Sequence, residues 1–183
     1  MNQASTQGMV TQKRILLAVD ESTAAHRALQ YVGMMTAGRP DFHVVLYHRL
    51  PALPPELREH GGSEYPPRET ELGQELSLRI AAWVSTLEAD LQPTLVELKE
   101  ELVQCGVSPD AVDFCIDKDV YPGETLAYDL RRVARERQCG TIAVAREHVP
   151  IVDGFGELDG FFRLHTGDEL VRKGAGFAVW VVG

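Results

Sequence analysis

Residues 15–19, Ile-Leu-Leu-Ala-Val, form an apolar run without alternation that stops at Asp20. An unbroken run of that length predicts a strand covered on both faces, as in a parallel sheet between helices. Residues 22–37 follow with Ala25, Ala28, Leu29, Val32 and Met35 at helical spacing. Ser22 or Thr23 suits the N-cap, since either hydroxyl accepts a backbone N–H of the first turn. Gly38 and Pro40 end the helix. Residues 42–47 are β-branched and aromatic and predict a second strand. Residues 49–68 carry Pro51, Pro54, Pro55, Pro66, Pro67 and Gly61-Gly62, a density that predicts irregular chain with one short helical turn over 56–60. A loop of that length inside a compact domain is usually functional or mobile.

From Glu69 the pattern changes. Leu72, Leu76, Ile80, Trp83, Leu87, Leu91, Leu95, Leu98 and Leu102 lie three or four residues apart, one continuous helical stripe. Pro93 interrupts the hydrogen-bond ladder but not the phase of the stripe, which predicts one kinked helix rather than two unrelated ones. Straight, a helix over 71–104 spans roughly 50 Å. A body of this chain length is only about 40 Å across. A bend or a projecting end is therefore required, and burial of Trp83, Leu87, Leu95 and Leu98 along one side is expected.

Gly106 and Ser108-Pro109 turn the chain into residues 112–117, whose alternation predicts a third strand nearer an edge. Residues 124–137 predict a helix with Leu126, Ala127, Leu130, Val133 and Ala134 inward. Residues 141–145 predict a fourth strand, buried like the first. Residues 146–159 are irregular, 160–172 predict a last helix, and 177–182 a fifth strand. Strands alternating with helices give an α/β fold with a doubly wound parallel sheet. The domain is expected to occupy residues 13–183, after a disordered segment at 1–12.

At 183 residues, 44% hydrophobic and 25% charged, the chain suits one soluble globular domain. A formal net charge of −9 and the lack of any Lys/Arg run argue against nucleic acid as a partner. No run approaches the roughly 18 apolar residues of a membrane span, and the polar residues 1–12 do not read as a signal peptide. A cytoplasmic protein is expected. Cys105, Cys115 and Cys139 are widely spaced, without a C-x-x-C, and read as small hydrophobes rather than a redox pair.

Three separated segments resemble the universal stress protein family. They are the Ala-Val-Asp-x-Ser turn at residues 18–22, the Val-Leu-Tyr-His-Arg-Leu-Pro run at 45–51, and the strand, glycine-bearing loop, helix and terminal strand over 141–182. Phe161-Phe162 and the ending over 178–182 are similar to one bacterial branch. The resemblance implies a five-stranded sheet in order 3-2-1-4-5, helices on both faces, and dimerisation through the last strand. The order then reverses between strands one and four, so Asp20 and Ala145 flank the crevice where open α/β sheets bind ligands.

Nucleotide-binding members carry Gly-x-x-Gly, nine residues and Gly-(Ser/Thr) after the fourth strand. Glycines let the backbone approach phosphates, and a helix N-terminus offers free N–H groups. Here Ala145 stands where the first glycine belongs. Gly154 fits the second, with an insertion of about six residues, and Leu164-His165 then replace Gly-Ser. The alternative places Gly167-Asp168 there. Glu147, Asp153, Glu157 and Asp159 crowd the same loop against Arg146 and Arg163, and nearby carboxylates disfavour an anion. The residues the resemblance assigns to the ligand crevice are thus Ala18, Val19, Asp20, Ala145, Arg146, Gly154 and His165. In the family the aspartate contacts the adenosine moiety; at a strand–helix turn it serves equally as a structural cap.

Other chemistry is less well supported. Gly154-x-Gly156-x-x-x-Gly160 is not a dinucleotide fingerprint, which belongs in the first strand–helix turn. Asp20, His148, Asp153 and His165 would converge near one crevice, but their spacing matches no zinc pattern. Ser22 lacks the glycines of a nucleophile elbow, and His48 reads as a strand-end packing residue. The expectation is a non-catalytic, cytoplasmic stress-response protein with a degenerate nucleotide site. It would act as a homodimer on an unidentified protein or small molecule, with no membrane partner, no metal and no obligatory cofactor. The enzyme-class alternative is an ATP-binding member with slow ATP hydrolysis.

Overall fold

The computed structural model describes residues 13–59, 61–118, 124–146, 166–173 and 176–183. The expected segment 1–12, Gly154, His165 and the other residues of 147–165 lie outside these.

Strand β1 (Arg14–Ala18) is central, with Ile15, Leu16 and Leu17 wholly buried. Successive side chains of a strand point to opposite faces. Ile15 and Leu17 accordingly join one core and Leu16 the other. Helix α1 (Thr23–Thr36) follows, then β2 (His43–Arg49), a 3-10 turn (Pro55–Leu57) and the long helix α2 (Pro66–Gln104). The chain continues through β3 (Val112–Asp117), α3 (Leu126–Glu136), β4 (Thr141–Ala145), α4 (Thr166–Lys173) and β5 (Ala178–Val182). All strand pairs are parallel and the order is β3-β2-β1-β4-β5, as the resemblance implied. One core holds Ala28, Leu29 and Val32 of α1 and Leu91, Leu95, Leu98 and Leu102 of α2. The other holds Ala127, Leu130, Val133 and Ala134 of α3 and Leu170 of α4.

Two expectations change at α2. The helix starts at Pro66, inside the stretch expected as loop, because two prolines at the first helical positions lose only N–H groups that have no partner there. The helical turn before it is also shorter and earlier than expected, at Pro55–Leu57. Pro93 is accommodated within one helix.

The second change concerns burial. Trp83 and Leu87 are half-buried rather than buried, and the buried residues of α2 begin only at Leu91. The reason is length. Thirty-nine residues rise roughly 58 Å, whereas strands of five to seven residues reach only about 16–23 Å. Lys118, just past the carboxyl end of β3, pairs with Glu88 at 2.7 Å. Lys99 donates to the carbonyl of Val112, at the start of β3. Residues 88–99 thus span the sheet, and Val84 and Leu87 still pack against the core. The residues before them run on past the carboxyl ends of the strands, where the Pro55–Leu57 turn lies against the helix and Arg79 donates to the Glu56 carbonyl. The other end of α2 turns at Gly106, whose φ of +96° is a left-handed conformation that suits glycine.

Candidate functional site

The crevice is created by a change of partner along the strands. β1 and β4 pair only as far as Leu17 and Ala143. Beyond that, Ala18 stays paired with Tyr47 of β2, and Ala145 with Val182 of β5. The sheet therefore parts between β1 and β4 at its carboxyl edge, the place where the order reverses and ligands bind in such sheets.

The structure brings Ala18, Val19, Asp20, Ala145 and Arg146 to the two sides of this opening. The Val19 N–H donates to the Tyr47 carbonyl at 2.9 Å, and the Val19 carbonyl lies 3.2 Å from Nδ1 of His48. Asp20 is exposed, and its Oδ1 accepts the Ser22 N–H at 2.8 Å, a turn closed by the carboxylate. Ser22, with extended backbone, caps α1 by accepting the Ala25 N–H at 3.1 Å. Asp20 thus supports the turn with one carboxylate oxygen while remaining an exposed residue.

Across the opening, Ala145 presents a methyl group where a glycine would leave open backbone. The next N–H, that of Arg146, donates to the Val182 carbonyl at 2.6 Å, which extends the sheet by one bond. A phosphate-binding loop needs free N–H groups at this point, and this one is taken. Gly167, one alternative for the family's last glycine, has another role here. A Cβ on it would lie 2.9 Å from Cγ1 of Val181, so glycine lets α4 lie close against β5. Of the four residues weighed as metal ligands, only Asp20 is among those described.

A second polar cluster lies under α3, at the carboxyl ends of β2 and β3. The Tyr47 hydroxyl donates to Oδ2 of Asp117 at 2.8 Å. Arg132 reaches both oxygens of Asp117, at 3.0 and 2.7 Å, and Oδ1 of Asp129 at 3.5 Å. Nε of Arg49 lies 3.0 Å from Oδ2 of Asp129, a residue with no exposure. Two carboxylates and two guanidinium groups balance. Burial alone would lower the Arg132 pKa, but its bonds to Asp117 raise it above the usual arginine value. Burial and then Asp117 keep the Tyr47 phenol protonated. This arrangement locks β2, β3 and α3 together.

The sequence reading missed this cluster. Its signal was available, because Asp129 stands three residues after Leu126 and four before Val133, on the inward face of the helix.

The cysteine expectation holds for the thiols themselves. Burial raises the pKa of Cys105 and Cys115 and pushes Cys139 up to about 11, so all three stay protonated and weakly nucleophilic. An open groove of about 600 Å³ between α1 and the buried half of α2 lies apart from the crevice. Glu97, Glu100 and Glu101 line it, which makes it unfavourable for an anion.

Comparison with known proteins adds the following. Residues 11–120 match the model of the universal stress protein family, a span that stops short of β4 and its loop. No curated protein matches the chain. Similar solved structures include a universal stress protein from Burkholderia pseudomallei, 16% identical, with 94% of this chain and 96% of that one covered and a TM-score of 0.55. Another is a universal stress protein solved in complex with cAMP, 11% identical, with 93% and 96% covered and a TM-score of 0.56. A third was described as a hypothetical protein in a structure-based functional assignment, 17% identical, with 94% and 96% covered and a TM-score of 0.58. At these identities the likeness establishes the fold.

Proposed function

This chain belongs to the universal stress protein family, and we propose that within it the chain is a non-catalytic, dimeric ligand- or partner-binding protein of the stress response, with a degenerate nucleotide site. The observation that carries this reading is the carboxyl end of β4. There Ala145 replaces a glycine, and the Arg146 N–H is engaged by Val182 instead of being open to a phosphate. Among the described residues no helix is long and apolar enough to cross a membrane, and a cytoplasmic location accords with the family.

The test is calorimetric titration with Mg-ATP, for which weak or no binding is expected. The related structure that holds cAMP makes that nucleotide the second ligand to titrate. Phosphate release above a buffer control would support the rival reading, slow ATP hydrolysis with Asp20 positioning a metal-bound nucleotide. No release is expected.

The dimer part of the proposal rests on β5. It ends the sheet order, and among the described residues no strand pairs with its outer edge. Unpaired apolar edges are aggregation hazards that soluble proteins cover. At this edge Val181 is exposed, and the exposed Tyr31 of α1 meets Trp180 edge-to-face at 6.2 Å. A two-fold partner would bring the same strand and patch onto their copies, centred near Val179 and Val181. Sedimentation at micromolar concentration is expected to give twice the chain mass of 20.3 kDa. Val179→Pro, which removes a backbone donor, should shift it toward monomer if that N–H faces the partner. A stable monomer for the unsubstituted protein would exclude this assembly.

A further inference from the structure

We draw no further inference here: the strongest candidate, the open groove between α1 and the buried half of α2 lined by Met34, Glu97, Glu100 and Glu101, is a cluster of acidic residues, and nothing in the structure shows what fills it.

Discussion

Asp129→Ala is expected to lower stability by about 3 kcal/mol, the lower end of the range for breaking a buried ion pair. Asp129 has no exposure and holds Arg49 at 3.0 Å and Arg132 at 3.5 Å. Alanine leaves Arg49 without its carboxylate and Arg132 with Asp117 and the exposed Glu136 alone, in surroundings that water only partly enters. The two arginine side chains keep 26% and 23% of their exposure, and that residual hydration places the cost at the lower end. Asp129→Asn keeps an acceptor at the same place and should cost less. Urea unfolding reads both, with a lower midpoint at unchanged slope as the sign of a pure stability change. A cost below about 0.5 kcal/mol, the scale of an exposed pair, would show that the cluster does not hold β2, β3 and α3 together.

The second large effect lies in α2. Leu95 is wholly buried in the core shared by α1, α2 and the sheet, so Leu95→Ala should cost about 2–5 kcal/mol by lost burial and a residual cavity. Leu78, on the same helix but 72% exposed, should lose almost nothing as alanine. The pair of measurements maps where the helix leaves the sheet. Similar small costs at both sites would mean that α2 does not pack as described.

The contrast within α2 shows what sequence reasoning reached. Periodicity revealed one apolar stripe from Leu72 to Leu102, because side chains three and four apart share a face. It carried no information about what covers that face, so Trp83 and Leu95 looked equivalent. The distinction comes from comparing the helix length with that of β2 and β3. The central strands were legible for the opposite reason. Residues 15–19 and 142–145 are apolar throughout, the pattern of a strand covered on both faces.

At the candidate site, the order of the elements was enough to put Asp20 and Ala145 at the carboxyl ends of the neighbouring strands β1 and β4. That the Arg146 N–H belongs to the sheet required the register of β4 with β5. The Tyr47–Asp117–Arg132–Asp129–Arg49 cluster stayed hidden because charged residues are read as solvated unless their partners are known. Those partners are distant in the chain, with Tyr47 and Asp117 separated by 70 positions.

The central claim is that a family nucleotide crevice has lost its capacity for phosphates, and isothermal titration of the full protein with Mg-ATP addresses it most directly. The account predicts no binding tighter than about 100 μM, roughly −5.5 kcal/mol, because the backbone donor after Ala145 is engaged by Val182. A dissociation constant in the low micromolar range would contradict it.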